Sequence, residues 1–207
     1  MKKMFLYSIF VTIFFSIYNL SIAVCPPGWT SASFPYTYFY PNPAPPPTEL
    51  PCTGVIHYCY QFSPLNPFLV AIDYIDMDPN CAHHFEWDNR FWDSVYKNVA
   101  IHFGLTNVPF ILPCPVPVNN FNIYRVNCWK YVNKPSQGIS RLVQCGISGR
   151  CEIYGKLCYE DGFPVWILER IISIPGNDCQ LGEIPIPPPG ETMESEWETE
   201  CFMIPCE

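Results

Sequence analysis

The chain carries twelve cysteines, Cys25, Cys52, Cys59, Cys81, Cys114, Cys128, Cys145, Cys151, Cys158, Cys179, Cys201 and Cys206, and all of them follow a short apolar segment at the N-terminus. That segment opens with Lys2 and Lys3 and runs apolar from Met4 to Tyr18, interrupted only by Ser8, Thr12 and Ser16. It ends in the small residues Ser21 and Ala23. A basic start, a short apolar run and small residues before a cleavage point mark an export signal, so residues 1–23 are expected to be removed ahead of Val24. An even number of cysteines behind such a signal points to disulfides formed outside the reducing cytosol. The expected location is therefore secreted or on the extracellular surface, with the periplasm as the other oxidising compartment that fits.

Six bridges are possible, in roughly ten thousand complete pairings, so spacing does not fix the connectivity. Metal binding is the competing use of many cysteines, but it favours closely spaced pairs, and no Cys-x-x-Cys occurs. The same gap argues against a thioredoxin-like redox site and covalent haem attachment. A lipid anchor on Cys25 is an alternative that Val24 fits poorly. After the leader no stretch approaches the roughly 20 apolar residues a membrane-crossing helix needs, so no transmembrane segment is expected once the signal is cleaved.

Removing Lys2 and Lys3 from the eleven basic residues leaves nine against nineteen acidic ones, a formal charge near −10. Nucleic acid and anionic membranes repel such a chain and are not expected as partners. After Arg170 there are eight carboxylate side chains and no Lys or Arg.

Four segments follow from composition: a signal peptide (1–23), a Pro- and aromatic-rich arm (24–52), an α+β core (53–182) and a Pro-rich, acidic tail (183–207). The arm holds prolines at 41, 43, 45, 46, 47 and 51 and reads as a stiff loop. Gly54–Phe62 and Phe68–Ile75 read as a strand pair. The helix expected from about Pro79 to Phe103 has Asp78 as N-cap, Pro79 in the first position and Gly104 as C-terminal cap. Its apolar stripe is Trp87, Phe91, Val95, Val99 and Phe103, widened by Trp92, Tyr96 and Ala100. Val108–Val118, broken by four prolines, reads as an extended connector.

Phe121–Pro175 is rich in β-branched and aromatic residues, with turn formers at 133–138, 148–149 and 161–162. It predicts a four-stranded antiparallel meander. Cys145 and Cys151 would flank one of its turns and are a candidate bridge. Cys151 and Cys158 are seven apart, so they face opposite ways and should not pair. Cys52 and Cys59 have the same spacing, and each should find a partner elsewhere. Cys201 and Cys206, beside Trp197, Phe202 and Ile204, suggest that the tail is stitched to the body.

Chemical candidates are few. Asp76, Asp78 and Asn80 match the opening of a calcium loop, but Cys81 and Trp87 stand where glycine and glutamate are needed and Glu86 is one place off. His83, His84, Glu86 and Asp88 crowd the expected first turns of the helix without a zincin pattern. Glu152 and Glu160 are a carboxylate pair of the kind glycoside hydrolysis uses. No nucleophile elbow, phosphate loop or dinucleotide fingerprint occurs, so no catalytic, cofactor or metal residue is assigned. The expectation is an α+β fold, an antiparallel sheet of the C-terminal meander plus the N-terminal strand pair, packed on one long helix and stapled by disulfides. Its expected role is an extracellular structural or interaction component of adhesion or assembly. A secreted hydrolase and a glycan- or protein-binding module are the alternatives. Protein or glycan at the cell surface, or another copy of the chain, would be the partner.

Overall fold

The computed structural model describes residues 25–42, 48–61, 68–79, 81, 89–115, 119–146, 149–176, 179 and 185–206. Strands β1 (Thr30–Asn42), β2 (Thr48–Gln61) and β3 (Phe68–Met77) precede helix α1 (Asn89–Asn107). Then come β4 (Asn119–Val126), β5 (Cys128–Lys134), β6 (Ile139–Gln144), β7 (Arg150–Glu160) and β8 (Phe163–Ile174). Two short strands, β9 (Trp197–Glu198) and β10 (Phe202–Met203), lie in the C-terminal segment.

The sheet branches at β3. On one edge β3 pairs antiparallel with β2, and β1 lies beyond β2. Its other edge is shared: residues 68–71 pair in parallel with β4, and residues 74–76 pair antiparallel with β6. One limb continues through β7 to β8, and the other through β5 to β9 and β10. Two strands can share one edge only by diverging. They do so at Asn127, the single residue between β4 and β5, whose N–H donates to Gly149 and whose carbonyl accepts from Ile204.

The sheet is thus mixed, which corrects the purely antiparallel expectation. Parallel neighbours need a crossover, and the connection carrying α1 supplies it between β3 and β4. The meander is corrected as well. The hairpins β5–β6 and β7–β8 form, but among the described residues β6 and β7 do not pair, because 121–134 is two strands serving different limbs. Cys145 and Cys151 are therefore not cross-strand neighbours.

The arm expected as a loop is, over residues 30–42, a strand paired along its length with β2. Most of the expected start of the helix lies outside the described residues. The Asp78 N–H donates to Thr53, and Asp78 accepts from the Cys81 N–H in a tight turn at the end of β3. Asn80, His83, His84, Glu86, Trp87 and Asp88 lie outside the described residues. At its other end α1 runs four residues past Phe103. Gly104 is inside the helix rather than capping it, and a Cβ there would stand 2.2 Å from the Leu157 side chain. The glycine serves close helix–sheet contact.

The expected stripe does face the sheet. Phe91, Trp92, Val95, Tyr96, Val99, Ala100 and Phe103 are all buried, against Ile56, Val70, Ile72, Phe121, Ile123 and Leu157. Phe103 meets Tyr60, Phe68 and Phe121 at centroid distances of 5.0, 5.3 and 5.6 Å.

Six disulfides join Cys25–Cys59, Cys52–Cys81, Cys114–Cys158, Cys128–Cys179, Cys145–Cys201 and Cys151–Cys206. Each ties a segment outside the main ladders to a strand or its end. They span 29 to 56 residues, and closing such loops in the unfolded chain is worth about 4 kcal/mol apiece in the chain-entropy picture. With its sulfur joined to Cys59, Cys25 cannot carry a lipid thioether. The tail is stitched down through Cys201 and Cys206.

At the centre of the core lies a cation. Arg125 shares its strand parity with Phe121 and Ile123 and is 1% exposed. Its guanidinium stands 4.2 Å from the centre of the Trp92 ring system. It donates to Tyr96 Oη (2.6 Å), Ile204 O (3.2 Å) and Pro205 O (2.7 Å). Burial pulls its pKa down, against the effect of Tyr96, yet a guanidinium stays protonated. Arg125→Met leaves two carbonyls and a phenol without their donor, and should cost about 3 kcal/mol of unfolding free energy. Denaturant titration of the oxidised protein, together with faster amide exchange at Ile204, checks this; a loss below about 1 kcal/mol would mean that water replaces the guanidinium.

Candidate functional site

α1 covers one face of the sheet. On the other face, strand alternation brings two polar clusters together. In the first, His57 on β2 stands opposite Tyr74 on β3, which stands opposite Val143 on β6. The His57 ring stacks on Tyr74 at 4.0 Å, and the Arg141 guanidinium lies 4.7 Å from the same ring centre. β2 and β6 flank β3, so Tyr74 is held between them. Asp76 accepts from His57 Nε2 at 3.0 Å and lies 2.8 Å from Arg141 Nε. A carboxylate only accepts, which places the proton on Nε2. Burial raises the Tyr74 pKa, with Asp76 adding to the shift. Burial also raises that of Asp73 near by, which His57 partly opposes.

The second cluster spans β4, β7 and β8. Asn122 stands opposite Tyr154, which stands opposite Arg170; Tyr124 stands opposite Glu152. Arg150 donates through Nε to Glu152 (2.8 Å), and Tyr154 donates to the other Glu152 oxygen (2.8 Å). Arg170 lies 4.3 Å from the Tyr154 ring centre and Arg150 lies 5.8 Å from that of Tyr124. Asn122, only 5% exposed, donates to the Tyr124 hydroxyl at 2.8 Å. Each arginine is thus partnered by a tyrosine, a carboxylate or both within the sheet.

Chemically, the described residues of this face set guanidinium, carboxylate and phenol groups side by side. Ser33 on β1 is in register with His57, giving a serine, histidine and aspartate on three adjacent strands. Ser33 and His57 make no hydrogen bond, which such a nucleophile needs. Glu152 and Glu160 lie on one strand eight residues apart, about 26 Å at 3.3 Å per residue, far beyond the roughly 5 to 9.5 Å of paired glycosidase carboxylates.

Asp76, the first residue of the apparent calcium loop, lies in β3 and is in contact with His57 and Arg141. Cys25, Cys59 and Asp73 converge within 4.8 Å, but the two sulfurs are bonded to each other and do not ligate. A hollow between β1, β2, β3 and α1, lined by Tyr36, Gly54, Met77 and Phe91 among others, has room for about one water (10 Å³).

The chain matches no protein-family model, and no curated protein or solved structure is detectably similar to it.

None of His57, Tyr74, Tyr124, Arg141, Tyr154 and Arg170 stands out in the sequence. Strand parity separates them from the core set, but which strands adjoin is not written in any single segment.

The Glu152 carboxyl is the pH-sensitive member. Burial alone would raise its pKa, but the Tyr154 and Arg150 hydrogen bonds outweigh that and hold it below the ordinary glutamate range. A depressed folded pKa contributes stability above the unfolded value, about 4.3, and that stability is lost as pH falls through the folded value. Glu152→Gln should therefore flatten the acid limb of the stability profile below about pH 4.3. An acid limb identical in the variant would show that Glu152 titrates alike in both states.

Proposed function

We propose that this is an exported, disulfide-scaffolded interaction component that works outside the cytosol, in adhesion or assembly. The observation that carries the reading is the set of six bridges with no free cysteine among the described residues. They fasten the N-terminal segment, the turn after β3, the connector after α1, the segment after β8 and the tail. Covalent fastening of these segments adds to the packed core in holding one shape. Such a scaffold suits presentation of a fixed surface.

A second reading, a glycan- or protein-binding module, is favoured by one specific feature. Tyr74, Tyr124 and Tyr154 lie half-buried on the uncovered sheet face, with arginines and carboxylates between them. Polar groups of both signs beside aromatic rings suit hydroxyl-rich or mixed-charge ligands. If this face takes glycan, Tyr124→Ala with Tyr154→Ala should abolish retention on the glycans that the wild-type protein binds in an array; unchanged retention removes the reading.

The main reading is tested on protein expressed with its leader. Thiol alkylation without reductant should label no cysteine in the exported fraction, and unreduced peptide mapping should recover the six pairs. Reduction should lower stability by about 2 to 5 kcal/mol for each important bridge lost. Protein retained inside the cell with several thiols labelled would overturn it.

A further inference from the structure

We propose that β8 is a self-pairing edge, through which two copies of the chain join their sheets antiparallel about a two-fold axis between Glu169 and Arg170. This deepens the assembly reading above and rests on it. The sheet has two long edges of unequal character. β1 contains Pro35 and Pro41, each lacking an N–H, so that edge is a poor template for another strand. β8 is twelve residues long, pairs among the described residues only with β7, and has no proline after Pro164. It also carries no cysteine.

Edges of this kind attract strands unless they are polar, and this one is apolar. Of the eight exposed large hydrophobic residues among those described, four lie on β8: Phe163, Ile167, Leu168 and Ile172. The mid-strand charges have partners on β7, Glu169 in Lys156 and Arg170 in the Tyr154 ring, and both stay exposed.

A second copy fits because β8 complements itself. A two-fold between Glu169 and Arg170 sets Glu169 against Arg170, Leu168 against Ile171, Ile167 against Ile172 and Val165 against Ile174 of the other copy. Opposed residues must share a face. In a regular strand, residues separated by an odd number do not, and this register would fail. β8, however, has one extra residue: Arg170 aligns with Tyr154 and Leu168 with Gly155, leaving Glu169 between them. The bulge puts Ile167 and Ile172 on the uncovered face, opposite Lys156 and Glu152, and Leu168 and Ile171 on the helix face, opposite Gly155 and Ile153. On the uncovered face Ile167 then meets Ile172 and Val165 meets Ile174, on the helix face Leu168 meets Ile171 and Trp166 meets Ser173, and Glu169 and Arg170 stand opposite each other at the axis. Centring the axis on either charged residue would set glutamate against glutamate or arginine against arginine, which is unfavourable.

Sedimentation equilibrium of the oxidised protein over a concentration series should give twice the chain mass at the upper end. Ile172→Lys should return it to the monomer, with near-ultraviolet circular dichroism and all six bridges unchanged. Glu169→Arg should weaken the dimer about tenfold, and adding Arg170→Glu should restore it; a tenfold change corresponds to about 1.4 kcal/mol. Amide protection at residues 165–174 should rise with concentration while that of β1 stays constant. A monomer at every concentration, a dimer indifferent to Ile172→Lys, or a charge swap that fails to rescue overturns the proposal. An oxidised, exported monomer would sink only this inference, whereas thiol-bearing protein retained in the cell would sink the assembly reading itself.

Discussion

The guanidinium of Arg125 ties together parts of this molecule that are far apart in sequence. Taking an ion out of water costs several kcal/mol even after the surroundings relax, and among the described residues no carboxylate pairs with it. Its acceptors come from two places distant in sequence: the Tyr96 hydroxyl on α1, and the Ile204 and Pro205 carbonyls near the C-terminus. The core is therefore complete only when helix and tail are both docked over β4. That accounts for a proline-rich, acidic segment of the kind that ordinarily trails free lying instead along β5. The Cys145–Cys201 and Cys151–Cys206 bridges hold the arrangement that the buried cation requires.

Asn127 has the matching role for the sheet. It is 3% exposed, and its main chain bonds both to Gly149, just before β7, and to Ile204 in the tail. One residue thus lets β4 follow β3 in parallel while β5 turns away to pair with β6. Each limb has its own reinforcement, Cys114–Cys158 on the β7 side and Cys128–Cys179 on the β5 side. Branching a sheet exposes main-chain groups where the limbs separate. Here the tail fills that gap, with the Thr199 N–H donating to Tyr131 and the Ile204 N–H to Asn127.

How much of this can be read from the sequence depends on the range of the interaction. The stripe of Phe91, Val95, Val99 and Phe103 is visible because a helix writes its buried face at a fixed local period. The β7–β8 hairpin is visible because Asp161 and Gly162 both take positive φ, 50° and 85°, and such turns favour that pair of residues. The burial of Arg125 was half visible: it shares parity with Phe121 and Ile123, but nothing local supplies its acceptors. The break at Asn127 was hidden, because the apolar character of Phe121–Val132 runs through it. β1 was hidden by its prolines, which an edge strand tolerates and a central one does not. The face bearing His57, Tyr74, Tyr124 and Tyr154 was hidden most completely, since it exists only once β2, β3, β4 and β7 are in register.

The two faces and the edge divide the work by chemistry. The helix face is closed by aromatic packing around one cation. On the opposite face Arg141, Arg150 and Arg170 are held by tyrosines and carboxylates, so it shows little net charge although the whole chain is strongly acidic. Long-range repulsion between copies arises largely elsewhere, in particular from the tail, where Glu198 is held below the ordinary glutamate range by Lys130 and Lys134 but Glu191, Glu194 and Glu200 add negative charge. Close approach of two copies is then least unfavourable away from the tail. β8 lies at the end of the β4–β7 limb and the tail follows β5 on the other, so the uncovered apolar edge and the acidic segment occupy opposite limbs of the branched sheet.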